Sequence, residues 1–157
     1  MLQMPPKAVA LDANLLILLI VGLASETYIA QHKRLKAFTT ADFHLLRDFI
    51  DSARGIVVSP NTLTEASNLI GQIAEPALSD IRGVFRRILA KATETTVPSR
   101  KAADDTAFLR LGLTDAVLLD ETFQDLTLLT TDFDLYSEAS KRGRTAVNFN
   151  YLIEANR

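Results

Sequence analysis

Residues 15–24 read Leu-Leu-Ile-Leu-Leu-Ile-Val-Gly-Leu-Ala, an unbroken apolar run close behind Asp12 and Asn14. A helix over 13–23 would be apolar on nearly every side, with no face to offer to water, so it must pack inside a layered domain. Gly22 and Ser25 are the expected closing residues. The run falls far short of the roughly 20 residues that span a bilayer. A secretory signal would place its apolar region behind a basic start, whereas here Asp12 and Asn14 interrupt. The expectation is a cytoplasmic protein with no place in the membrane.

The rest of the chain supplies layers for such a helix. Lys7 to Leu11, Ile56 to Val58, Thr95 to Val97, Leu126 to Thr130 and Thr145 to Phe149 read as short strands, bounded by turn residues or rich in β-branched side chains. Between them stand helical patterns: Ala41 to Ala53 with Thr40 as N-cap, Thr62 to Ile73, Ser79 to Ala92, Ala102 to Leu111, a short helix to Leu119 capped by Thr114 or Asp115, and Leu135 to Lys141 before Gly143. No two-residue hairpin signal joins two strands. Strict alternation predicts an α/β fold, a doubly wound three-layer α/β/α sandwich around a central parallel sheet. There is no internal repeat and no long linker, so residues 1–157 are expected to form a single domain. Only the first few residues lack a reason to be ordered.

Composition then narrows the chemistry. The chain has no cysteine and only His32 and His44, so thiolate sites and multi-histidine zinc centres are excluded, and a metal here would be held by oxygen. The formal net charge of -2 gives no overall basic field for nucleic acid. Neither a GxGxxG nor a P-loop is present, and Ser59 and Ser99 lack a nucleophile motif. The basic run Gln31-His32-Lys33-Arg34-Leu35-Lys36 reads first as a solvated helix face and second as a contact for RNA phosphates.

Parallel sheets bind ligands beyond the carboxyl ends of their strands. Asp12 follows the first strand, Glu65 lies on the helix after the second, Asp115 opens a helix before the fourth, and Asp132 follows that strand. Each has a bland reading: Asp is a favoured N-cap, and Thr62-x-x-Glu65 has the form of a capping box. Capping explains each acid alone but not their convergence on one rim. Two carboxylates about 4 Å apart repel by roughly 4 kcal/mol at an effective dielectric near 20. Such a group takes up protons or cations, and an all-oxygen donor set suits Mg²⁺ or Mn²⁺.

Four segments carry a resemblance: Leu11-Asp12-Ala13-Asn14, Thr64-Glu65-Ala66, Gly112-Leu113-Thr114-Asp115-Ala116, and Thr130-Thr131-Asp132-Phe133-Asp134-Leu135. In their order and coarse spacing the sequence resembles the PIN-domain family, which includes many ribonuclease toxins of bacterial toxin–antitoxin pairs. The resemblance implies a sheet ordered 3-2-1-4-5 and a Mg²⁺- or Mn²⁺-dependent endoribonuclease. It assigns Asp12, Glu65, Asp115 and Asp132 to the metal site and catalysis, Asn14 and Thr130 to supporting polar roles, and Asp134 to an additional acid. It also implies an RNA substrate, a homodimer and a protein antitoxin as partner. The alternative is a catalytically silent PIN-like module that binds RNA or protein. A phosphoacceptor receiver is disfavoured, because the adjacent acidic pair and downstream lysine it needs are not found.

Overall fold

The computed structural model describes residues 6–157, so the first few residues, expected to lack order, fall largely outside it. Strand β1 (Val9–Leu11) leads directly into helix α1 (Ala13–Ala24). Next come α2 (Thr27–Gln31), a 3-10 turn at Lys33–Leu35, and α3 (Thr40–Asp51). Strand β2 (Val57–Val58), α4 (Pro60–Ile70), α5 (Ala77–Lys91) and β3 (Thr93–Glu94) follow. The second half runs α6 (Ser99–Ala103), α7 (Phe108–Leu111), α8 (Leu113–Leu119), β4 (Thr127–Thr130), α9 (Phe133–Lys141), β5 (Ala146–Asn148) and α10 (Phe149–Ala155). Every strand pairing is parallel: β1 with β4, β4 with β5, and β2 with β3. One further parallel bridge links Val9 of β1 to Ile56, just ahead of β2.

The strands divide two apolar clusters between them, as the side-chain alternation of a strand requires. Val9, Leu11, Val58 and Leu129 face a cluster that includes α1, α3, α4 and α5. Ala10, Val57, Leu128 and Ala146 face the other, built from α6, α8 and α9. Helices therefore cover the strands on both sides, an α/β arrangement of three layers. Within the first cluster, Leu15 to Val21 are all buried, enclosed by α2, α3, α4 and α5. That is the burial the apolar run demanded.

His32 belongs to this core. It is fully buried, its Nδ1 accepts from the Arg34 amide at 3.1 Å, and its Nε2 lies 3.2 Å from the Ile70 carbonyl. The acceptor role of Nδ1 makes Nε2 the protonated nitrogen of a neutral ring, and burial lowers its pKa. Its function is structural.

Several boundaries differ from the sequence reading, each for a local reason. Strand β1 starts at Val9, because the Lys7 carbonyl accepts from the Arg54 amide at 3.1 Å and does not join the ladder. Gly22 does not close α1. It sits inside the helix, where an added Cβ would stand 2.2 Å from Phe43 Cδ1, so glycine permits the close approach of α3; Ser25 forms the end. Thr39, not Thr40, caps α3, since Thr39 and Asp42 exchange hydrogen bonds in a reciprocal box. Helix α4 opens at Pro60 under a Ser59 cap, whose hydroxyl accepts from the Thr62 amide at 3.1 Å. Thr62 is thus inside the helix, and Thr62-x-x-Glu65 is not a capping box.

The third strand lies at Thr93–Glu94 rather than Thr95–Val97. The expected helix over 102–111 is two, because the Asp105 carboxylate accepts from the Ala107 amide at 2.8 Å and turns the chain between α6 and α7. Neither Thr114 nor Asp115 caps α8; Gly112 occupies that position without a side-chain bond. Helix α9 begins at Phe133 rather than Leu135, and Asp132 caps it. Helices α2 and α10 were not anticipated. No helix of the described residues is long and apolar enough to cross a membrane.

Candidate metal centre

The carboxyl ends of β1 and β4 lie side by side, Leu11 opposite Leu129, so the residues that follow them meet. Asp12 caps α1 by accepting from the Leu15 amide at 2.9 Å. Its other oxygen accepts from the Thr130 hydroxyl at 2.5 Å and the Thr131 amide at 2.9 Å, with the Thr131 hydroxyl at 3.4 Å. Asp12 therefore does two things at once: one oxygen caps α1, and the other is held across the strand gap. Burial pushes its pKa up, and the hydrogen bonds offset that only in part.

Thr130 is fully buried; besides donating to Asp12, its hydroxyl accepts from the Asp132 amide at 2.9 Å. One hydroxyl thus ties together the two strand ends that carry Asp12 and Asp132. The Asp132 carboxylate accepts from the amides of Asp134 and Leu135 at 2.9 and 3.1 Å, and its residue is otherwise exposed.

Asp115 approaches from the opposite wall. Gly112 has φ of 88°, a conformation that favours glycine, and turns the chain directly from α7 into α8. Asp115 then falls in the first turn of α8, half-buried. Glu65 projects from the second turn of α4 and is exposed. A cleft of about 300 Å³ is lined by Asp12, Asn14, Glu65, Asp115 and Asp132, with Gly112 and Thr114 among its walls. It has no lysine, arginine or histidine in its lining.

The electrostatics follow from that lining. Asp115 is pushed up to about 7, first by burial, then by the negative charges of Asp132, Asp12 and Glu65. A helix N-terminus favours the anionic carboxylate, so the shift means that burial and repulsion together win. All four acids therefore border one space and Asp115 senses the other three. They still stand apart: among the described residues, no three His, Cys, Asp or Glu side chains form a gathered metal-binding group. The donor chemistry nonetheless fits a hard divalent cation. It is all oxygen, and it has too much negative charge for every acid to ionise comfortably.

Asn14 lines the cleft as an exposed residue. Asp134 sits in the first turn of α9 and is not part of the lining. Thr131 was missed in the sequence, although both its amide and its hydroxyl reach Asp12. Its signal was a second hydroxyl residue between the end of β4 and Asp132. No protein-family model, curated protein or solved structure matches the chain.

Proposed function

We propose that the chain is a Mg²⁺- or Mn²⁺-dependent endoribonuclease that hydrolyses RNA phosphodiester bonds in the Asp12–Asp115 cleft. The observation that carries the reading is Asp115: a carboxyl group raised to about 7 by burial and by the charges of three other acids, in a cleft whose lining holds no lysine, arginine or histidine. Perturbed groups of this kind concentrate at functional sites. Asp12, Glu65, Asp115 and Asp132 would hold the cation, with Asp12 and Asp115 as its chief ligands. When bound, the ion supplies activation of water and neutralises charge on the phosphate. The chain's own part is orientation. Thr130 and Thr131 fix the Asp12 carboxylate, and the first turn of α9 fixes Asp132. Asn14, exposed at the cleft, supplies a neutral donor and acceptor for substrate or water.

The same reading takes the strands as a single PIN-like sheet ordered β3-β2-β1-β4-β5, supported by the Val9–Ile56 bridge between the two ladders. It extends to one domain over the whole chain and a cytoplasmic location, as the sequence pattern suggests, and, on the family resemblance, to a homodimer and a protein antitoxin. A second reading, a catalytically silent RNA- or protein-binding module, draws on the separation of the carboxylates. Incubation of mixed single-stranded RNAs with Mn²⁺, Mg²⁺ or EDTA separates the two. Metal-dependent fragments that disappear in Asp115→Asn support the nuclease, and intact RNA under every condition overturns it.

A further inference from the structure

Next to Asp132, just outside the residues that line the cleft, stands a group of aromatic side chains. Phe133, the next residue, is 60% exposed, and Tyr151 on α10 is 49% exposed. Tyr136, one turn further along α9, lies between them: its ring centroid is 6.4 Å from that of Phe133 and 5.7 Å from that of Tyr151, the latter contact edge-on at 84°. Asn150 Nδ2 donates to the Thr131 carbonyl at 3.2 Å, so the start of α10 is tied to the β4–α9 connection. The patch therefore adjoins the residues that hold Asp12 and Asp132. By contrast, Phe43, Phe123 and Phe149 are fully buried, as phenylalanine in a folded chain usually is.

We propose that Phe133, Tyr136 and Tyr151 form a stacking platform for nucleobases of single-stranded RNA beside the phosphate held in the cleft, an inference that rests on the ribonuclease reading. The cleft offers RNA no lysine or arginine, so attraction to phosphate charge cannot supply the grip that most nucleic-acid sites use. A nucleobase has a neutral π face, and aromatic side chains take it in a sequence-tolerant way. Unpaired bases are needed for such stacking, which makes a single strand or loop the substrate class.

The chain has three tyrosines and no tryptophan, so two of its three intrinsic fluorophores lie in the platform. The test is equilibrium binding of a uridine oligomer in EDTA at low ionic strength, read by tyrosine emission and by the anisotropy of a labelled strand. An abasic oligomer of equal length is the control. The expected result is quenched emission and weaker binding of the abasic strand. Phe133→Ala and Tyr151→Ala should each weaken uridine-oligomer binding by roughly 5- to 100-fold, while Tyr151→Phe stays near wild type. Both alanine sites are exposed, and melting curves confirm that the variants fold. Equal binding of uridine and abasic strands overturns the platform, as does no binding by wild type. Alanine variants that bind like wild type and still cut RNA with Mn²⁺ overturn the platform but leave the nuclease standing. Self-association lost in Phe133→Ala with RNA binding unchanged makes the patch a protein interface and also overturns it. Base-dependent binding with no cleavage in Mn²⁺ keeps the platform and removes the nuclease.

Discussion

Helix α8 runs between two acidic regions that solve the same problem in opposite ways. At its start, Asp115 meets Asp12, Glu65 and Asp132 in a cleft that no cation lines. At its end, Asp120 belongs to a region where Asp105, Asp120, Glu121 and Glu138 each have a basic partner. Arg142 grips Asp105 with two bonds of 2.7 Å and reaches Glu138 at 3.3 Å; Arg110 meets Glu138 at 2.6 Å, and Lys101 stands 3.0 Å from Glu121 and 3.5 Å from Asp120. The titration behaviour diverges accordingly. The Arg142 guanidinium holds Asp105 down at about 2, whereas Asp115 rises to about 7. For Asp120, burial alone would raise the pKa, but bonds from Thr122 and the charge of Lys101 bring it below the usual range. Here Asp105, Glu138, Asp120 and Glu121 are each matched by an arginine or lysine. The cleft has none among its lining residues, and in the proposed reading a divalent cation supplies that charge.

The sharpest way to break that contrast is to remove the charge at Asp115. Asp115→Asn should lower RNA cleavage at least about 100-fold, since even outer partners of metal ligands commonly cost 10- to 100-fold. The same variant without metal should melt higher than wild type, by about 1–3 kcal/mol, because repulsion is relieved. Undiminished cleavage in a clean preparation would take Asp115 out of the mechanism.

Added cations should distinguish the regions next. Mn²⁺ at about 100 times its Kd should stabilise the fold by roughly 2.7 kcal/mol, seen as a rise in melting temperature. Glu65→Gln should blunt that rise while leaving the metal-free fold intact, because Ser59 and not Thr62 with Glu65 caps α4. A melting temperature indifferent to millimolar Mn²⁺ would count against the centre.

On the paired side, Asp105→Asn should cost about 1–2 kcal/mol, discounted for the partial exposure of the Arg142 pair. It should not alter the response to Mn²⁺. Calorimetry of the variant with and without metal checks both halves.

The two regions also diverge in pH dependence. Asp105 binds its proton less tightly folded than unfolded, so its contribution is present above its ordinary value of 3.8 and disappears as pH falls through about 2. Asp115 runs the other way. Folded, it holds its proton more tightly, so its contribution is greatest below about 4 and is lost as pH rises through about 7. Metal-free melts between pH 4 and 8 should therefore show a decline that Asp115→Asn flattens and Asp105→Asn does not.

The sequence made the cleft more legible than the paired region, and the reason is physical. Asp12 and Asp132 follow strands, and a parallel sheet brings strand ends to one rim whatever the loops do. The layers were legible too, because a helix like α1 with no polar face must be covered. Element edges were not. Ser59 in place of Thr62, Thr39 in place of Thr40, and the break at Asp105 each turn on single hydrogen bonds that patterning does not encode. Arg142 and Asp105 lie 37 residues apart in sequence, so their pairing required the tertiary fold.

The completeness with which α1 is buried has a mechanical consequence. Asp12 is bolted to a rod that cannot turn or slide without exposing Leu15 to Val21, and Thr130 and Thr131 clamp its outer oxygen. It behaves as an anvil. Glu65 is exposed and Asp115 only half-buried, so these two side chains are less enclosed than Asp12. In the proposed reading, any drawing-together of carboxylates around an ion therefore falls to Glu65 and Asp115, not to Asp12.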